Sequence, residues 1–235
     1  MNPADGRLPG VLLDLGLVPV DRPLPLVLEQ VAGLATEALG GQPAVSVTVV
    51  GTDGASTVGT SAQVAADLDA VQYRAGRGAC LDAATTGEVR VLPDAASERR
   101  WPELARAAVA ADRRGLVSAG FPAGRSVPGG LNLYLQPALQ ADTGLRASAE
   151  RFATHAAVTV GNTLLYARTA QLAEHLQVAL DSRAVIDQAK GVLMERYRLT
   201  ATQAFEALTR VSNQTNTKLR DVAVHVVETG QFPPV

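Results

Sequence analysis

Three charged side chains near the C-terminus fall on one helical face: Arg183, Asp187 and Lys190 stand at i, i+4 and i+7. A guanidinium and an ammonium on one face can meet phosphate oxygens, and a guanidinium also stacks on unpaired bases. The same spacing equally fits an ordinary solvated face. Gly191 interrupts this helical pattern, at a cost of about 1 kcal/mol relative to Ala. Close approach of another backbone would explain it, either a nucleic acid or a packed helix. Lys218 and Arg220 open a further helical stretch, whose dipole favours phosphate. Ser212, Asn213 and Asn216 precede them and offer donors and acceptors to base edges. Capping and turn formation would use the same groups. Lys190 and Lys218 are the only lysines of the chain.

Other chemistry is poorly supplied. His155, His175 and His225 are far apart in sequence and have no cysteine or carboxylate cluster at metal-ligand spacing, so no metal site is expected. Gly76-Arg-Gly-Ala-Cys80 is not a phosphate loop, because no Lys-Ser/Thr follows it. Cys80, the single cysteine, builds neither an internal disulfide nor a cysteine-based zinc site. It reads as a buried structural thiol, with a redox or adduct role as the alternative. Trp101, the only tryptophan, reads as a core anchor, with a pocket wall as the alternative. No catalytic residues are expected, since no acid–base or nucleophile constellation is present.

The elements that must position these residues form two regions. The chain has 235 residues, 47% hydrophobic and 19% charged, with a formal net charge of −2. That is a globular composition, and any nucleic-acid site must be a local patch. Residues 180–230 hold seven Lys and Arg against six Asp and Glu, a net of only +1. No apolar run suits a bilayer and the N-terminus is not a secretory signal, so a cytoplasmic protein is expected.

Residues 1–22, rich in Pro and Gly, are expected to be a mobile arm. Leu24 to Leu39 has helical spacing, stopped by Gly40-Gly41. Ala44 to Val50 and Ser56 to Ala62 read as a hairpin about Thr52-Asp53-Gly54. Short helices are expected at Gln63 to Gln72 and Cys80 to Thr86, and a longer one at Trp101 to Ala111. Strands are expected at Val89 to Leu92, Leu116 to Phe121 and Gly130 to Leu135. This is an α+β pattern with a mostly antiparallel sheet.

After Thr143 the pattern is helical throughout. Leu145 to about Arg198 fits one long helix, with Gly161 and Gly191 as weak points. Leu165, Leu172, Ala179, Ile186 and Leu193 recur every seven residues, as in a coiled-coil seam. Arg168, Arg183 and Lys190 fall where such a seam should be completed, so a stripe packing on each domain in turn competes with it. A second helix begins after Thr200, with Gln203 completing a capping box, and Phe205, Leu208 and Val211 line one face. A third begins with Asn216 or Thr217 as N-cap and stops at Gly230.

Two stretches resemble known families. Ala179 to Arg196, which contains Ala189-Lys-Gly-Val-Leu-Met194, resembles the ANTAR domain together with Gln203-Ala-Phe-Glu-Ala-Leu208 and Asn216-Thr-Lys-Leu-Arg-Asp-Val-Ala223. The resemblance implies a three-helix module that binds RNA in transcription antitermination or related riboregulation. Members act as dimers, on targets that resemble paired hairpins with small loops.

Asp69-Ala-Val-Gln-Tyr73, Gly76-Arg-Gly-Ala-Cys-Leu-Asp-Ala83, Gly87-Glu-Val-Arg-Val-Leu92, Arg100-Trp-Pro102 and Gly130-Leu-Asn-Leu-Tyr134 resemble the GAF domains that precede ANTAR domains. This chain has Ala79 where such relatives often carry Pro, and Phe121 to Val127 is less regular. Both departures leave the ligand open. The two resemblances cover about residues 24–229.

The expected architecture is therefore an α+β, GAF-like antiparallel sheet flanked by helices, then a long helix and an all-α three-helix ANTAR bundle. Its parts are an arm at 1–22, a sensor at 23–142, a connecting helix at 143–175 and an RNA-binding domain at 176–230. The candidate RNA-binding residues are Arg183, Gln188, Lys190, Gly191, Arg210, Ser212, Asn216, Lys218 and Arg220. Tyr73, Cys80 and Trp101 are the candidates for contact with a small-molecule ligand that the resemblance implies over the sheet; no cofactor is evident. The expected partners are RNA hairpin loops and a second copy of the chain, with neither membrane nor duplex DNA. A DNA-binding factor is disfavoured, because the last two helices lack a tight Gly-containing turn and the third is too apolar to read a groove. A protein-interaction role for the GAF-like part remains the other alternative.

Overall fold

The computed structural model describes residues 3–40, 43–122, 124 and 127–233, with the backbone alone for 3–5. Gly41 and part of the Phe121 to Val127 segment lie outside the described residues. The chain divides into two compact units, Met1–Ala167 and Arg168–Val235.

The first unit is built on five strands: β1 (Ala44–Gly51), β2 (Gly54–Thr60), β3 (Val89–Leu92), β4 (Gly115–Gly120) and β5 (Gly129–Leu135). Their order is β2-β1-β5-β4-β3, with every neighbouring pair antiparallel. Alternation along each strand sorts the side chains to two faces. Val45, Val47, Val117, Leu131, Leu133 and Leu135 enter one apolar cluster, with α1 (Pro3–Gly16), α2 (Leu24–Ala38) and the start of α6 (Thr143–Tyr197). Ala44, Leu92, Leu116 and Tyr134 enter another, with α3 (Gln63–Ala75), α4 (Ala79–Thr86) and α5 (Pro102–Ala110). The sheet is thus covered on both faces.

Two glycines allow the helices to lie directly on it. A Cβ at Gly59 would stand 2.3 Å from the carbonyl of Leu28 in α2, and one at Gly120 would stand 2.1 Å from the carbonyl oxygen of Ala83 in α4. No side chain other than glycine fits either contact.

The structure departs from the expected mobile arm over residues 3–16. Residues 3–16 form a helix, and Leu8, Val11 and Leu15 are buried in the same cluster as α2. Their spacing of three and four residues makes an apolar face, which outweighs the poor helix propensity of Pro9 and the glycines.

The second unit contains the last part of α6, α7 (Ala201–Thr215) and α8 (Leu219–Thr229). The single helix α6 passes through both Gly161 and Gly191. Ala189, Leu193, Ala204, Leu208, Val211, Val222, Ala223 and Val226 form the core of this unit. Phe205, expected on the buried face of α7, is 44% exposed instead. The α7 capping box is present: Thr200 Oγ1 accepts from the Gln203 amide at 3.2 Å, and Gln203 Oε1 accepts from the Thr200 amide at 2.9 Å.

The N-cap of α8 is Lys218, not Asn216 or Thr217. Asn216 instead ends α7 in the left-handed region, with φ of 49°, a conformation that Asn tolerates better than most residues.

Candidate nucleic-acid interface and sensor core

On α6 the carboxylate of Asp187 joins the two cations of its face. Lys190 Nζ donates to Oδ1 at 2.8 Å, and Arg183 Nε lies 3.8 Å from Oδ2. The Lys190 ammonium, then the Arg183 charge, hold the Asp187 carboxyl below its ordinary range. The Arg183 side chain is 83% exposed and the Lys190 side chain 25%. Any anion approaching these two cations would have to displace the Asp187 carboxylate from them.

Gly191 is exposed, and a Cβ built on it meets nothing within 4 Å. Among the described residues, then, no packed helix accounts for this glycine. Gln188 is exposed two residues from Lys190 and so points to another side of the helix.

A second group gathers at the turn from α7 to α8. Ser212 Oγ donates to the Thr217 carbonyl at 2.7 Å, and the Asn216 amide donates to the Ser212 carbonyl. These bonds fix the turn and leave the exposed Asn216 side chain outside the core. Lys218 is exposed at the N-cap without a side-chain capping bond, and Arg220 is exposed in the first turn of α8. Two cations and a helix N-terminus therefore meet at one turn, the arrangement that suits a phosphate. Arg210 is exposed on α7, two residues before Ser212 and hence on the opposite side of that helix.

The sequence candidates thus fall into an α6 row (Arg183, Lys190, Gly191) and a turn group (Ser212, Asn216, Lys218, Arg220), with Gln188 and Arg210 apart from both. Asp187, at a helical step from both cations, is the member of the α6 row that the candidate set left out.

In the first unit, Tyr73 and Cys80 belong to one buried polar network around Asp69, itself absent from the sequence candidates. Asp69 Oδ2 accepts from Thr57 Oγ1 at 2.7 Å, and Oδ1 accepts from Asn132 Nδ2 at 3.2 Å and from the Tyr134 hydroxyl. Tyr73 Oη lies 2.9 Å from Thr48 Oγ1 and 3.0 Å from Thr57 Oγ1. Gln72 Nε2 donates to Tyr134 Oη at 2.8 Å, and Gln72 Oε1 accepts from the Cys80 amide at 3.0 Å.

Burial raises the Asp69 carboxyl, against the hydrogen bonds from Ser46, Tyr134, Thr57 and Asn132. Burial and then the Asp69 charge also raise the Tyr73 hydroxyl and the Cys80 thiol. A thiol so held is protonated at neutral pH and a poor nucleophile.

Trp101 is also buried but stands outside this network. Its Nε1 donates to Asp82 Oδ2 at 3.2 Å, and the Arg100 guanidinium lies 4.2 Å from its ring centroid. Surface cavities lie elsewhere in the unit, for example one bounded by Pro93, Asp94, Arg114, Leu139 and Asp142.

Comparison with known proteins agrees with this division. Residues 174–227 match the ANTAR domain. The free methionine-R-sulfoxide reductase of Neisseria meningitidis, solved with its substrate, is 15% identical, with 69% of this chain and 90% of that one covered at a TM-score of 0.50. The GAF domain of the cyanobacteriochrome TePixJ is 13% identical, over 61% of this chain and 92% of that one, at a TM-score of 0.50. The nlh2 GAF domain of A. Aeolicus, in an inactive state, is 10% identical, over 66% of this chain and 96% of that one, also at 0.50. At these identities the likeness is one of fold, and fold carries no activity with it. No curated protein matches the chain. Residues 174–227 thus match the ANTAR domain, and they follow in sequence a unit with the fold of GAF domains.

Proposed function

We propose that this protein is a signal-responsive RNA-binding regulator that holds paired RNA hairpins as a homodimer, in transcription antitermination or related riboregulation. The observation that carries this reading is the ANTAR match over residues 174–227, because ANTAR domains are RNA-binding modules. That span includes the α6 row, with an uncovered glycine beside two cations, and the cationic start of α8.

Arg183, Lys190, Lys218 and Arg220 take phosphates, while Ser212 and Asn216 address bases of an unpaired loop. Gln188 and Arg210 are peripheral contacts. The segment 23–142 senses, 143–175 connects and 176–230 binds, with α1 added to the sensor. Tyr73, Cys80 and Trp101 answer to a sensor ligand from within the packed core, so a ligand reaching them must displace side chains. A target of two hairpins needs two modules, and pairing them raises affinity through effective concentration.

The test is binding of the full chain to a two-hairpin RNA against a loop-scrambled control, with Lys190→Ala beside the wild type. Selective binding that the variant loses supports the reading. Equal affinity for both RNAs removes it. An enforced monomer that binds as tightly as the wild type removes the dimer step.

A further inference from the structure

Two aromatic rings of the second unit are left out of its core. Of the three Phe and Tyr residues between 168 and 235, Phe232 packs against the apolar cluster, while Tyr197 and Phe205 are 47% and 44% exposed. Tyr197 continues the α6 row: Lys190, Met194 and Tyr197 stand at i, i+4 and i+7, and Met194 is exposed as well. Phe205 heads a row on α7, with Thr209 and Ser212 at i+4 and i+7.

The two rows face the same way. On α6 the row follows the buried stripe by one position, Lys190 after Ala189 and Met194 after Leu193. On α7 it does the same, with Phe205 after Ala204, Thr209 after Leu208 and Ser212 after Val211. Residues 198–200 alone join the helices, so α7 turns back along α6. Like flanks of two antiparallel helices that share a core lie on one side of the pair. α8 closes the other flank of α6: Arg196, a member of neither row, donates from Nη1 to the Gly230 carbonyl at 2.9 Å, and Val185 and Val192 pack on the core there.

The charges around the rings name what covers them. The Arg196 guanidinium lies 5.9 Å from the Tyr197 ring centroid, and Lys190 and Arg183 stand on the Tyr197 row. An aliphatic partner surface gains nothing from such cations and would bury them at a cost. An unpaired nucleotide suits them, since its base offers a π-face to a ring and its phosphate meets the cations. Bases inside a duplex stack on each other and offer no such face.

We propose that Tyr197 and Phe205 form an aromatic platform on which unpaired loop bases of the RNA stack, beside the phosphates held by the α6 row. The inference rests on the RNA-binding reading above and adds a division of tasks. Stacking tolerates any base, so the platform selects an open loop over a stem, while Ser212 and Asn216 read which bases the loop contains.

The experiment titrates the full chain into the two-hairpin RNA carrying 2-aminopurine at each loop position in turn, a base that loses fluorescence when it stacks. Wild type is expected to quench at least one position of each loop. Phe205→Leu and Tyr197→Leu keep the apolar bulk but remove the π-face. Each should lose quenching and bind roughly tenfold more weakly, at an unchanged slope of log K against log salt. Phe205→Tyr and Tyr197→Phe should quench and bind as the wild type does. Both rings lie outside the core, so the variants fold, and an unchanged melting temperature checks this.

Leucine variants that quench and bind like the wild type overturn the proposal, as does an equal loss in Phe205→Tyr and Tyr197→Phe. Weaker self-association of the leucine variants with full quenching assigns the rings to a second copy and also overturns it. Wild-type binding without quenching at any loop position sinks the platform alone. A wild type that binds neither this RNA nor its loop-scrambled control sinks the RNA-binding reading itself.

Discussion

At the scale of single residues, Gly191 and Asp69 are both placed against local preference. Gly191 costs its helix about 1 kcal/mol, and the space beside it is open. Gly191→Ala is therefore expected to stabilise the second unit by about that amount and to weaken RNA binding, since the added methyl stands where an RNA backbone approaches. A melt and a binding titration on one variant check both signs; a rise in stability with unchanged RNA affinity would leave the glycine without a functional account. Asp69 has the opposite problem, a carboxyl buried among neutral partners. Its folded-state pKa is raised, so the folded chain holds the proton more tightly than the unfolded one. Stability then falls as pH rises from about 4 towards the folded value. Asp69→Asn removes this loss, although its amide nitrogen cannot accept from Thr57 as Oδ2 does. In melts between about pH 4 and about pH 8 the wild type should lose stability relative to the variant as pH rises. Parallel curves would mean that the carboxyl titrates normally.

At the scale of elements, α1 tests how far pattern outweighs composition. Leu15 is 1% exposed, against α2 and the sheet-side cluster. Leu15→Ala is expected to cost the first unit about 3 kcal/mol, read by denaturant unfolding, whereas a loose arm would give no change. The sequence holds this helix in the spacing of Leu8, Val11 and Leu15, but Pro3, Gly6, Pro9 and Gly10 mask it. The strands are easier to read, because β-branched alternation and turn residues agree at Ala44 to Val50 and at Val89 to Leu92. The α7 capping box is legible for the same reason, since Thr200 and Gln203 signal each other at fixed spacing. The start of α8 is harder: Asn216 suits a helix N-cap and a left-handed C-cap alike, and only the packing of two helices decides. Asp69 was open to detection as well. Ala65, Leu68, Asp69 and Gln72 trace the buried face of α3, and two polar residues on such a face announce a buried network. Its partners come from β1, β2 and β5, and no local pattern identifies those.

At the scale of the whole molecule, the charge balance limits how RNA can be held. The chain is net negative, and residues 180–230 carry only a slight positive excess. Attraction by bulk charge is therefore weak, and binding must come from a few placed cations. Arg183, Lys190, Lys218 and Arg220 make four such contacts if all meet phosphate. Each contact to single-stranded RNA contributes about 0.7 to the slope of log K against log salt, so one module should show a slope of about −3. Lys190→Ala should weaken binding to every RNA sequence and make the slope shallower by about 0.7. Asn216→Ala should instead reduce the preference for the correct loop and leave the slope unchanged, because a base contact releases no counterion. Affinities measured at four or more salt concentrations separate these cases. A wild-type slope near zero would remove phosphate contact from the account and leave loop recognition to hydrogen bonds and stacking alone. A slope about twice that of one module would mean that both modules of a dimer are engaged at once, as a two-hairpin target requires.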